Sequence, residues 1–306
     1  MANYLKNLLP GLMLLMLLTS CSAFAASPVS MTDTVEPPPP TVFEEGATQP
    51  PQVTQVQVTQ NPELSTPKAS ETSCLKVEGE LQAYQITWDD ETLTGKVYTP
   101  PCYLESGLHY PTLYLLHGAT ETEQQWEDLG LSGLVDDLIS REVIPPLLIV
   151  MPREDTWVSV QDNPFGDQLI QGVIPWIEQE YRTLPERRFR AVGGISRGGN
   201  WTIRLGLLHW GIFGSLGAHS APLFFGDLNR LPGWLEDIPD GGIPRIYLDI
   251  SDGDKNLAEG ETLRDILQAA GASLEWHLYP GLHNDAYWTA HLEEYLLWYS
   301  AGWEEQ

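Results

Sequence analysis

"GGISRGGN" at residues 193–200 sets a serine between glycines two positions away on either side. By composition alone, a Gly-x-Ser-x-Gly pattern arises in about one chain in ten of this length. Its meaning therefore depends on what surrounds it. "RFRAVGG" (188–194) reads as a buried strand that runs straight into the motif. "RGGNWTIRLGLLH" (197–209) has helical spacing despite its glycines. A serine on the sharp turn between such a strand and such a helix is pushed out at the C-terminal edge of a sheet. Gly194 and Gly198 are then steric requirements, because the two backbones crowd the turn.

The flanking chain repeats the alternation of strand and helix. "LQAYQITW" (81–88) and "TLTGKVYTP" (92–100) alternate apolar and polar residues, as half-buried antiparallel strands do. "TLYLLH" (112–117) and "PLLIVMP" (146–152) are continuous apolar runs suited to central parallel strands. "GSLGAHS" (214–220), "RIYLDI" (245–250) and "SLEWHLYP" (273–280) supply further strands. Helical spacing covers 131–142, 167–181 (with Pro175 as a bending point), 257–271 and roughly 284–299. The stretch 221–243 is too short for a large lid. The pattern predicts an α/β fold: a mostly parallel sheet, helices on both faces, and an antiparallel hairpin at its N-terminal side.

The first 26 residues read as an export signal, with Lys6 ahead of the apolar run "LLPGLMLLMLL" (8–18), which is too short to span a bilayer. "LTSC" (18–21) resembles a lipobox, which would make Cys21 the lipidated first residue of an exported protein; "AFA" (23–25) offers an ordinary signal-peptidase site instead. Residues 27–73, with "PPPP" and "QVTQVQVTQ", are poor in large apolar groups and read as a disordered linker. The globular part is 74–306. Cys74 and Cys102 remain as a pair for a disulfide in an oxidising compartment. The formal charge of −26, most of it on the globular part, argues against nucleic-acid and anionic-membrane partners. The membrane enters only through the lipid anchor.

Seven histidines compete for the role of base to Ser196. His283, in "YPGLHNDAYW" (279–288), follows a strand and precedes the last helix, which suits a base coming last in the order Ser, acid, His. His277 lies inside a strand, His209 and His291 fall on helices, and His219 ends a strand with no intervening acid on a loop. The acid should follow "RIYLDI", where "SDGDKNL" (251–257) offers Asp252 and Asp254, with Asp249 inside the strand. The same stretch superficially resembles a calcium loop, but Leu257 and Leu263 occupy the positions that require Gly and Glu. No metal site and no cofactor is implied.

"LYLLHGA" (113–119), "GGISRGG" (193–199), "YLDISDGDKNL" (247–257) and "PGLHNDAYWTAHLEEYLLWY" (280–299) together resemble the esterase family of α/β-hydrolases, over roughly residues 80–302. That family includes feruloyl and acetylxylan esterases, esterase D type enzymes, enterochelin esterases and mycolyltransferases. The resemblance implies the α/β-hydrolase fold and a triad of Ser196, His283 and Asp254. Asp249 and Asp254 match the family's Asp-x-Gly-x-x-Asp spacing, although Ser251 replaces its glycine. It also implies two oxyanion donors: the backbone N–H of Arg197, directly after the serine, and that of Ala119, in the loop after "LYLLHG". His117 in that loop reads as structural.

Trp126, Trp157, Phe224, Trp288 and the acidic "MPRED" (151–155) fall on strand-end loops and are candidates for lining a substrate pocket. Aromatic groups there suit a sugar ring or an aromatic acyl group. The expected activity is hydrolysis of small or carbohydrate-linked carboxylic esters through an acyl-enzyme. Transfer of the acyl group to an alcohol, as in mycolyltransferases, and a non-catalytic binding module on the same fold are the alternatives.

Overall fold

The computed structural model describes residues 74, 77–155 and 159–304. The expected signal segment 1–26 with Cys21, the linker 27–73 and Trp157 lie outside the described residues. Within them, β1 (Glu80–Trp88) and β2 (Glu91–Thr99) form an antiparallel hairpin in register from Glu80↔Thr99 to Trp88↔Glu91. Asp89 and Asp90 make the turn, both with positive φ (49° and 62°), the geometry that matches strand twist in a two-residue hairpin. A disulfide joins Cys74 to Cys102, their Cα atoms 5.2 Å apart, and so ties the segment before β1 to the end of β2.

Six more strands follow: β3 (Thr112–Leu116), β4 (Leu148–Pro152), β5 (Arg190–Ile195), β6 (Ser215–His219), β7 (Arg245–Ser251) and β8 (Leu274–Tyr279). The sheet order is β1-β2-β4-β3-β5-β6-β7-β8, antiparallel at β1–β2–β4 and parallel elsewhere. This is the α/β-hydrolase architecture. Strands β3 to β6 are buried along their whole length because helices cover both faces.

Alternating side chains divide the core accordingly. Tyr114, Leu116, Val150 and Leu248 face one side, together with residues of α3 (Arg197–Leu208), α4 (Asp227–Glu236) and α5 (Leu257–Ala269). Leu113, Leu115, Ile149 and Tyr247 face the other, against α1 (Leu131–Ser140) and α6 (Asp285–Glu304). On the first face, α2 (Ile174–Glu180) completes the cover.

Two helical expectations need correction. The single helix expected over 167–181 is a π-helical turn, Gln168–Val173, followed by α2. Pro175 has no N–H to give to the carbonyl four residues back, and the wider turn ahead of it absorbs the break. The helix α4 falls in the stretch 221–243, for which the sequence predicts no helix, and it carries Pro232 and Gly233 in its interior. It forms anyway, anchored by buried Leu231, Leu235 and Asp227.

Register decides where the chemistry falls. Leu116 pairs with Gly194, Ile195 with His219, His219 with Asp249, and Ser251 with Tyr279. The loops after β3, β5, β6, β7 and β8 therefore leave the sheet at one edge. The order reverses between β3 and β5, the switch point at which open α/β sheets place their ligand crevice.

Candidate active site

β5 ends at Ile195 and α3 begins at Arg197, so the whole turn is made by Ser196. Its φ of 53° and ψ of −113° lie outside the regions open to ordinary residues, a strain that costs about 1–3 kcal/mol. The surroundings enforce it. Ser196 N–H donates to His219 O at 2.8 Å, and Ser196 O accepts from Asn200 N–H at 3.1 Å. A Cβ on Gly194 would lie 2.3 Å from Gly198 C, and one on Gly198 would lie 2.2 Å from Leu116 O. No side chain fits at either position.

The loop after β8 brings His283 to this turn, with Nε2 at 3.0 Å from Ser196 Oγ and Nδ1 at 2.6 Å from Asp254 Oδ2. A carboxylate can only accept, so Nδ1 carries the proton and Nε2 presents its lone pair to the serine hydroxyl. The Asp254 side chain is fully buried and that of His283 is 25% exposed. Burial alone pushes the Asp254 carboxyl up, but hydrogen bonds from His283 and from the Asn256 N–H (2.9 Å) outweigh it and hold the group below its ordinary value. Asp252, the other acid of that loop, is exposed and accepts the Gly281 N–H at 3.1 Å.

Leu116 and Gly194 lie side by side, so the loop after β3 with Ala119 starts level with the turn at Ser196 and Arg197. Arg197 is the first residue of α3, where backbone N–H groups point out along the helix axis. Gln125, which sequence reasoning passed over, is buried and accepts the Gly118 N–H at 2.8 Å. His117 is also buried, with Nε2 accepting the Glu154 N–H at 2.9 Å and Nδ1 at 2.8 Å from Gly118 O.

Two of the aromatic residues expected in a pocket are core residues instead. Trp126 is 1% exposed and donates its indole N–H to Leu116 O, because the short helix Gln125–Asp128 turns it inward. Trp288, 5% exposed, packs edge-on against His283 with ring centroids 5.1 Å apart and donates to Ser220 Oγ at 3.1 Å. Phe224 is partly buried against Trp201, while its neighbour Phe225 is 97% exposed. Within "MPRED", the Glu154 side chain turns inward, 5% exposed, and its carboxylate accepts from Arg197, Trp201 and Asn163.

A second His–Asp pair lies in the sheet behind the first. His219 Nδ1 is 2.7 Å from Asp249 Oδ1, both side chains fully buried, and Asp249 Oδ2 accepts the hydroxyls of Tyr287 (2.7 Å) and Tyr295 (2.8 Å). The available signal was a carboxylate inside the apolar run "RIYLDI", since a buried charge needs partners. Among the described residues, no group of three or more His, Cys, Asp or Glu side chains is arranged to hold a metal ion.

A family model described as "Putative esterase" matches residues 90–299. The chain is 31% identical over 236 residues to an endo-1,4-beta-xylanase/feruloyl esterase of Xylanibacter ruminicola, covering 70% of this chain and 29% of that protein. It is 34% identical over 153 residues to an esterase of Mycobacterium tuberculosis, covering 46% of this chain and 31% of that protein. The chain thus spans about a third of the length of these relatives. Among solved structures, a ferulic acid esterase superposes with a TM-score of 0.66 at 21% identity, over 74% of this chain and 99% of that one. The S-formylglutathione hydrolase of Staphylococcus aureus does so with a TM-score of 0.59 at 17% identity, over 72% and 99% of the two chains. By fold and by family match, the chain belongs to the esterase family of α/β-hydrolases.

Proposed function

We propose that this protein is a serine carboxylic-ester hydrolase. The observation that carries the reading is the unbroken path from Ser196 Oγ through His283 to Asp254, at 3.0 and 2.6 Å. As Ser196 Oγ bonds to the ester carbonyl carbon, its proton passes to His283 Nε2, and Asp254 stabilises the imidazolium that results. The carbonyl oxygen becomes an oxyanion between the N–H groups of Arg197 and Ala119. Collapse expels the alcohol, which takes the proton from His283. Water then adds to the acyl-enzyme by the same route and releases the acid.

The substrate class is an ester of an aromatic or short acyl group, carried on a sugar or another small alcohol. Support comes from the name of the Xylanibacter ruminicola relative and from the exposed Phe225 in the loop after β6. Replacing Ser196 with Ala tests the reading: hydrolysis of p-nitrophenyl acetate and methyl ferulate is expected to vanish, and retained turnover refutes the assignment.

The same proposal includes export and anchoring through lipid on Cys21, with residues 27–73 as the tether. The disulfide Cys74–Cys102 supports an oxidising compartment. Intact-mass analysis of the membrane fraction tests it. An acylated N-terminus at Cys21 is expected, and a mature chain beginning after Ala25 counts against it.

A further inference from the structure

We infer that Glu154 is a positioning residue that holds both oxyanion donors, its side chain fixing Arg197 and its backbone, through His117, fixing Ala119. The inference rests on reading Ser196 as the nucleophile, and it adds to that reading a device that sets the geometry of the oxyanion site.

Glu154 lies two residues beyond the end of β4, with its side chain 5% exposed. Both carboxylate oxygens accept from Arg197 Nε, at 3.0 and 2.9 Å, and Oε1 also receives its terminal nitrogen. Oε2 accepts the Trp201 indole N–H at 3.0 Å, and Oε1 accepts the Asn163 amide at 2.8 Å. Arg197 and Trp201 are one turn apart at the start of α3, so the carboxylate grips the turn that carries the first donor. A forked guanidinium–carboxylate contact fixes orientation as well as distance.

The second arm runs through the backbone. Glu154 N–H donates to His117 Nε2 at 2.9 Å, which leaves the His117 proton on Nδ1, 2.8 Å from Gly118 O. Gly118 C=O and Ala119 N–H belong to one planar trans peptide, in which the two dipoles point in opposite directions. Pinning Gly118 O therefore aims the Ala119 N–H, and the bond to the carbonyl polarises it further. Gln125 holds the preceding peptide through the Gly118 N–H. Burial outweighs the Gly118 hydrogen bond and the nearby carboxylates, which act the other way, and keeps the His117 imidazole below its ordinary pKa and hence neutral, as the bond accepted at Nε2 requires.

The test compares wild type with Glu154→Gln, which loosens the Arg197 arm, and His117→Phe, which cuts the Ala119 arm while keeping a ring. The readouts are kcat and KM for p-nitrophenyl acetate, thermal melting, and the affinity for phenethyl trifluoromethyl ketone. In that adduct Ser196 Oγ bonds to the ketone carbon, the proton moves to His283, and the carbonyl oxygen becomes an oxyanion. Each variant is expected to lower kcat about ten- to hundredfold with KM nearly unchanged, and to weaken the ketone by the same factor. A lowered melting temperature with kcat and ketone affinity both intact overturns the inference, since Glu154 would then be only a buried ion-pair partner.

If Glu154→Gln fails to fold, the paired variant Glu154→Leu with Arg197→Met replaces the ion pair by apolar groups and is judged by the same criterion. Ser196→Ala runs alongside. If it retains wild-type turnover, the reading of the nucleophile itself has failed, a result distinct from unaltered Glu154 and His117 variants.

Discussion

Two His–Asp pairs of nearly the same spacing lie in different surroundings, one inside the sheet and one beyond the strand ends. His283 Nδ1 meets Asp254 at 2.6 Å, and His219 Nδ1 meets Asp249 at 2.7 Å. The difference is position along the strands. Asp249 and His219 face each other within β7 and β6, whereas Asp254 and His283 lie in loops beyond the strand ends. At the edge, Nε2 finds a serine hydroxyl on a strained turn. Inside, it finds the Tyr299 hydroxyl at 3.1 Å, with no route for a substrate. Burial, then the Asp249 charge, raises the Tyr287 and Tyr295 hydroxyls far above their ordinary range, so both remain O–H donors to that carboxylate. Neighbouring residues of α6 touch both pairs: Tyr287 reaches Asp249 while the adjacent Trp288 packs on His283. Where the sheet ends thus decides which His–Asp pair can reach a serine hydroxyl.

The sharpest way to break this contrast is to remove the acid of each pair. Asp254→Asn should reduce kcat by about 10⁴ by misplacing the His283 proton, while the urea midpoint changes little. Asp249→Ala should do the reverse. Stripping a buried carboxylate from a histidine and two tyrosines should cost about 3–5 kcal/mol in urea unfolding, with turnover per titrated active site largely kept.

Trp288→Leu probes the link between the pairs. Loss of the edge contact and of the bond to Ser220 should lower kcat about tenfold at constant KM, measured on p-nitrophenyl acetate. The smallest expected effect is on acid stability. Because the folded pKa of Asp254 is depressed, its contribution is present above the unfolded value of about 4 and is lost as pH falls through the folded one. Urea unfolding between pH 6 and pH 3 should therefore show wild type losing stability that Asp254→Asn does not.

Much of this was legible in residue order. Alternation and apolar runs marked the strands, and "GGISRGG" with a later acid and histidine marked the outer pair. What escaped depends on burial, which a linear pattern does not carry. Trp126 and Trp288 follow closely after strands, as a pocket wall would, but each sits on a helix whose packing turns it inward. Glu154 has the look of its neighbours Arg153 and Asp155, yet those two pair with each other at the surface while Glu154 alone turns toward α3. The helix α4 overrides the local signals of Pro232 and Gly233 because Leu231 and Leu235 have a core to enter. His219 looked idle because its acid lies in the neighbouring strand rather than in a loop.

The most direct test is covalent labelling by a fluorophosphonate, with the adduct mapped by peptide mass spectrometry and its rate compared across variants. The prediction is a single adduct on Ser196, slowed about a thousandfold or more in Asp254→Asn and formed at close to the wild-type rate in folded Asp249→Asn. An adduct elsewhere, or labelling of Ser196 that survives loss of Asp254 but disappears with Asp249, contradicts the assignment of the edge pair as catalytic and the inner pair as structural.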